Sequence, residues 1–168
     1  MSTSTSTTTY TRTHTATHMS DAIMSSIADI LASLGIDSSR LYDEWDQDAA
    51  AIAAWITEGS LASVSVECHR PSGTVDPIFK FPMSYTAGGF GDRKFTADNA
   101  SIVKYVAKLK TVPAGTTFKL FCAFNGPRTP QPGWSPGTSA STADLRSRSI
   151  GTLATAPDAT ASARVYMS

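Results

Sequence analysis

The chain has 168 residues, with 14 Lys+Arg against 14 Asp+Glu and a formal net charge of zero. Balanced charge excludes the concentrated basic face of an electrostatic nucleic-acid binder, and the length fits one domain that buries a normal core without staples. No apolar run approaches the roughly 20 residues needed to cross a bilayer, and no basic and then apolar leader opens the chain, so a cytoplasmic, membrane-free protein is expected.

Residues 2–9 are only Ser and Thr. Such an arm buries too little apolar area to offset its ordering entropy, which predicts mobility in isolation. Its β-branched Thr residues also suit an extended strand added to a sheet edge. Helix one is predicted over 15–34, because Ile23, Ile27, Ile30, Leu31 and Leu34 form one stripe at helical spacing. Thr13, Thr15 or Ser20 can cap its start, and Gly35 stops it. Helix two is predicted over 39–58, with Leu41, Trp45, Ala49, Ile52, Trp55 and Ile56 inward. Ser38 or Ser39 caps it, and Gly59 ends it. Asp43, Glu44, Gln47 and Asp48 lie on its opposite face, read as solvated.

In 61–68, Val64, Val66 and Cys68 alternate with Ser63, Ser65 and Glu67, predicting a strand with one wet face. Pro71-Ser72-Gly73 then reads as a turn into a second strand near 75–81, carrying Ile78, Phe79 and Phe81, in a hairpin. Residues 82–97, with Gly88, Gly89 and Gly91, read as a loop or irregular edge. Helix three is predicted over about 99–110, with Ile102, Tyr105, Val106 and Leu109 inward. The third strand, 117–124, has Phe118, Leu120, Cys122 and Phe124 on one face. Phe121 on the other face predicts a central position. Cys68 and Cys122 in apolar strands are expected to be buried free thiols.

After Phe124 the composition changes. Residues 125–138 hold Gly126, Pro127, Pro130, Pro132, Gly133, Pro136 and Gly137 around Trp134. Residues 139–168 are rich in Ser, Thr and Ala, with weak strand signals at 145–153 and 163–167. This last stretch of the chain is too poor in apolar residues for a core of its own, so it is either disordered or wraps the domain built by 15–124.

Little points to chemistry. His14 and His18 have a metal-ligand spacing on a helix, but no Glu lies between them, and Cys68 or His69 are the nearest sources of a third ligand. Asp43, Glu44, Asp46 and Asp48 lack the Ca²⁺-loop spacing. Gly88-Gly89-Phe90-Gly91-Asp92 lacks the Lys-Ser/Thr of a phosphate loop, and no nucleophile elbow is present. Lys104, Lys108 and Lys110 read as a solvated face, and Arg146, Arg148 and Arg164 as surface contacts. Trp134 has two readings: an anchor packed on the core, or an exposed partner contact. No catalytic residue, metal site or cofactor is assigned.

The order of the pieces carries a resemblance. It starts with Thr13-His14-Thr15-Ala16-Thr17-His18-Met19 ahead of helix one, and Glu58-Gly59-Ser60-Leu61 where helix two meets a strand. Pro77-Ile78-Phe79-Lys80-Phe81 before Tyr85-Thr86 follows, and then Val112-Pro113-Ala114-Gly115-Thr116-Thr117-Phe118. With Pro132-Gly133-Trp134-Ser135-Pro136-Gly137 and the Ser/Thr/Arg-rich end, the chain resembles the bacterial HORMA domains over nearly its whole length. The resemblance implies an α+β fold, with about three helices on a mainly antiparallel sheet and a C-terminal "safety belt" that closes over a closure-motif peptide. It implies a non-enzymatic signalling adaptor of CBASS antiphage defence. The expected partners are a cyclic-oligonucleotide synthase (CD-NTase), an AAA+ remodeller and, in some operons, a second HORMA protein.

Carried over by position, 1–13 is the arm, 14–124 the core and 125–168 the belt, hinged near Asn125–Gly137. Asn125, Gly126, Trp134, Gly137, Leu145, Ile150 and Leu153 are the belt and hinge candidates for partner binding. Thr9, Tyr10, Thr11, Arg12 and Thr13 are the candidate remodeller grip. Competing readings are a small metal-dependent enzyme using His14 and His18, an assembly protein with polar arms, and a protein whose own polar tail is the captured peptide.

Overall fold

The long helix α1 (Thr3–Leu34) is the axis of the fold. The structure, a computed structural model, describes residues 3–85, 96–97, 99–156 and 159–168; side chains of 3–14 and 96–97 lie outside that description, as does the Gly88–Asp92 motif. The helix begins at Thr3, ahead of the start near 15 that its apolar stripe predicts. Met19, Ile23, Met24, Ile27 and Leu31 are all fully buried. So are small polar residues between them: Ser26 Oγ donates to Ala22 O, and Ser20 Oγ crosses to Ala49 O at 2.7 Å. The helix is therefore covered on several sides.

The predicted second helix is divided. Helix α2 (Ser39–Asp43) and helix α3 (Trp45–Glu58) meet at Glu44, whose backbone (φ −104°, ψ 8°) leaves the helical region. This places Asp46 and Asp48 in the first turn of α3, where the dipole favours acids. Gly59 (φ 79°) closes α3 in a left-handed turn, with its N–H on Ile56 O and that of Ser60 on Trp55 O. Helix α4 (Ala100–Val106) is shorter than the predicted third helix.

The strands are β1 (Leu61–His69), β2 (Val75–Tyr85), β3 (Thr96–Ala97), β4 (Thr117–Phe124), β5 (Arg146–Thr155) and β6 (Ala159–Met167). They form one sheet in the order β3-β5-β6-β2-β1-β4, and every pairing is antiparallel. The predicted hairpin is present, with Val64 opposite Phe81 and Val66 opposite Phe79. Two expectations are corrected. The strand read as central, β4, is an edge strand that pairs only β1 among the described residues; Phe121 on its second face is met by Gly137, a Cβ there standing 3.5 Å from the ring. The polar face of β1 is not wet either, since Ser63 and Glu67 are buried.

The weak strand signals near the C-terminus mark real strands. On β6, Ala159, Ala161, Ala163 and Val165 alternate inward and are buried. Alanine has low strand propensity, which hid the signal. The core draws on both sides of residue 124, since Leu153, Ala154 and Val165 share it with α1.

Cys68 and Cys122 are free. They lie on adjacent strands, but Cys68 faces Phe118 and Cys122 faces Val64. The offset of four positions is about 13 Å, too far for a bridge. Burial pushes the Cys68 thiol up to about 12, and it pushes Cys122 upward as well.

Candidate functional site: a groove at the edge of the sheet

The outer side of β4 has no strand partner among the described residues, so its main chain beyond Phe118, whose carbonyl takes the Arg40 guanidinium, is open to pairing. Beside it runs the segment 125–145, which starts over the helices and ends behind the sheet. Asn125 N–H donates to Ser60 O at 2.8 Å and fixes the start. Trp55, 1% exposed on α3, is the next fixing point. Its Nε1–H donates to Thr129 O at 2.7 Å, and its ring meets those of Phe124 and Trp134 edge-on at 4.8 and 5.4 Å. Glu58 accepts from Thr129 Oγ1 (2.7 Å) and N (3.1 Å), and the hydroxyl bond chiefly holds its carboxyl below the usual range.

Gly133 (φ 82°) has the left-handed backbone that favours glycine, and it is set against the amide end of Gln47, which a Cβ would push aside. Beyond Gly137 the chain has rounded the edge of β4. Ala140 N–H donates at 2.7 Å to Glu67 Oε2 on the face away from the helices, and His69 Nε2 lies 3.0 Å from Glu67 Oε1. Glu67 is 1% exposed because this segment covers it.

Between β4, the α2–α3 junction and 128–137 lies a groove of about 860 Å³. Phe118 to Cys122 and Phe124 of β4 form one wall, Arg40, Glu44, Asp48 and Trp55 the second, and Arg128, Pro130, Gln131 and Trp134 the third. The Arg40 guanidinium sits 4.8 Å over the Phe118 ring and donates through Nη2 to Phe118 O at 2.5 Å. That of Arg128 lies 4.3 Å over Phe124.

Asp48, assigned by sequence to a solvated face, is 7% exposed. Burial pushes its carboxyl from 3.8 up to about 6; the Glu44 charge adds to this, and Arg40 opposes it. A raised carboxyl favours folding below pH 3.8, and that contribution is lost as pH rises through about 6. Asp48→Asn is thus expected to raise stability at pH 7 by about 1–3 kcal/mol, with the gain vanishing near pH 3.5. Urea denaturation at both pH values checks this; no gain at pH 7, or equal gains, would show that ionising Asp48 costs nothing.

The structure separates the sequence-derived candidates. Trp134 and Gly137 line the groove, and Trp134 is half-buried with its ring against that of Trp55. Asn125 fastens the entry to the segment, and exposed Gly126 follows it. Leu145 precedes β5, Ile150 is half-buried within β5, and Leu153 is 2% exposed in the core; none of the three lines the groove. The side chains of Thr9, Tyr10, Thr11, Arg12, Thr13 and His14 lie outside the described residues, although their backbone is helical. No group of three metal-ligating side chains occurs among the described residues, and no described helix is long and apolar enough to cross a membrane. Presenting the tail as a captured peptide would require pulling β6 from between β5 and β2. Sequence reasoning missed Trp55 as a fixing point, Glu67 as the clasp, and Asp48, Glu44 and Arg40 as a groove wall.

The family model for bacterial HORMA domain 2 matches residues 4–168. The chain belongs to that family. Solved structures bear out the HORMA fold. A chain of the mitotic checkpoint complex is 10% identical, with a TM-score of 0.75 and coverage of 91% of this chain and 98% of that one. C. elegans HTP-1 bound to the HIM-3 closure motif is 13% identical, with a TM-score of 0.70 and coverage of 90% and 89%. The E. coli MS115-1 HORMA:CdnC:Trip13 complex gives 13%, 0.62, and coverage of 93% and 89%. No curated protein matches the sequence. The segment 125–145 together with β5 and β6 spans the residues, 125–168, that the sequence reading takes as the candidate belt.

Proposed function

We propose that this HORMA domain is a non-enzymatic adaptor that holds an extended closure-motif peptide as an added strand on β4, beneath the belt. The observation that carries this reading is the unpaired edge of β4 facing an 860 Å³ groove that 128–137 covers. Strand addition draws affinity from main-chain hydrogen bonds and specificity from alternate side chains. Eight residues of β4 offer roughly 26 Å of edge at ~3.3 Å per residue. The closure motif in the HTP-1 structure supports the same use of the fold.

We further propose that the loaded domain regulates a cyclic-oligonucleotide synthase in cytoplasmic antiphage (CBASS) defence. An AAA+ remodeller then resets it, drawing on residues 9–13. The E. coli HORMA:CdnC:Trip13 complex supports this pairing of partners. The Pro/Gly-rich run 125–137 suits a segment with two arrangements.

The test is a selection from a random linear peptide library on the full-length domain, repeated on Trp134→Ala. One short extended motif is expected, and it should weaken or vanish with Trp134→Ala. A folded domain that enriches nothing would overturn the reading. Truncation at 124 is no control, because it removes Leu153 and Val165 from the core.

A further inference from the structure

We propose that the groove selects peptides carrying a lysine or arginine whose cationic head seats on the carboxylates of Asp48 and Glu44. This inference rests on the peptide-binding reading above. Asp48 lines the groove, is more than nine-tenths buried, and its carboxylate takes part in no side-chain hydrogen bond or ion pair among the described residues. Buried carboxylates are ordinarily paired, because leaving one unpaired in a desolvated site is costly. Glu44, at the α2–α3 junction, lines the same wall and adds a second negative charge.

The charged and titratable groups around Asp48 are few. Arg40, on α2, is committed to the carbonyl and ring of Phe118. Arg128, on the belt, lies over Phe124. From β4, the Cys122 thiol is held protonated by burial, and Lys119 is exposed. Two carboxylates thus face the groove; Arg40, held on Phe118, offsets part of the Asp48 charge, and Arg128 is engaged with Phe124. A lysine or arginine head supplies the missing charge and donors, and Glu44 and Asp48 stand ready on one wall to receive it.

A strand added to β4 turns every second side chain toward the helical wall, so the register fixes which peptide position meets Asp48. The raised carboxyl of Asp48 agrees with a site completed by a cation, since pairing restores the ionised form.

The library selection is run on the wild-type domain, on Asp48→Asn and on Glu44→Gln, and folding is checked by thermal denaturation. The expected result is one fixed basic position in the wild-type motif, lost with Asp48→Asn while the other positions persist. A selected peptide with capped ends and no histidine should bind wild type about tenfold more weakly near pH 5 than near pH 7.5, and Asp48→Asn with little pH change. A motif without a basic position, or one whose basic position survives both substitutions, overturns this inference and leaves peptide binding standing. No motif at all from the folded wild type overturns both.

Discussion

Trp55→Ala is expected to destabilise the domain by about 3–5 kcal/mol and to free the first half of the belt. The residue is 1% exposed and holds three things at once: the core beneath α3, the Phe124 ring at the end of β4, and the belt through Thr129 and Trp134. Removing the indole leaves a cavity and strips Thr129 O of its donor. Trp55→Phe keeps most of the packing and loses the Nε1–H bond, so it should cost clearly less than alanine while still loosening 128–134. Chemical denaturation gives the stability change, and limited proteolysis under native conditions reads the belt. A loss below ~1 kcal/mol from alanine, or unchanged cleavage across 125–137, would show that the belt is fixed elsewhere.

Ile27→Ala separates the core from the belt. Ile27 is fully buried in the C-terminal part of α1, so truncation should cost about 2–5 kcal/mol, depending on how far the neighbours close the cavity. It takes part in none of the hydrogen bonds or ring contacts that fasten 125–145, so native-state cleavage of 125–137 should stay as in wild type. Ser25→Ala, on the exposed side of the same helix, should fall within about 0.5 kcal/mol of wild type. A loss under ~0.5 kcal/mol from Ile27→Ala would mean that α1 does not occupy the centre of the core.

The sequence spoke plainly where side-chain periodicity meets a single buried face. The α1 stripe, the β1–β2 hairpin and the apolar face of β4 were readable for that reason. Three things were not. Helix α1 starts at Thr3, in a run of Ser and Thr that has low helix propensity and no apolar stripe for periodicity to find. Strands β5 and β6 gave faint signals because their buried positions are largely alanine. The edge position of β4 was hidden because Phe121 is covered by a loop residue, Gly137, and periodicity cannot tell a loop from a second sheet layer.

The site was legible in outline only. Trp134 and the Pro/Gly run drew notice as composition, and the HORMA resemblance supplied their meaning. Asp48 and Glu67 are ordinary acids in sequence. Only the path of 125–145 around the sheet edge buries one and turns the other into a clasp.

That path also bears on time. The segment is fastened on one side of β4 at Ser60, Thr129 and Trp134, and on the other at Glu67. Whatever lies along the β4 edge is encircled by covalent chain. Its escape then waits on the parting of those fastenings, and its residence follows the opening rate of the loop more than the strength of its own contacts. Ligands of modest affinity can thus be held for long periods, and a bulky group at each end of a peptide leaves wrapping as its only route in.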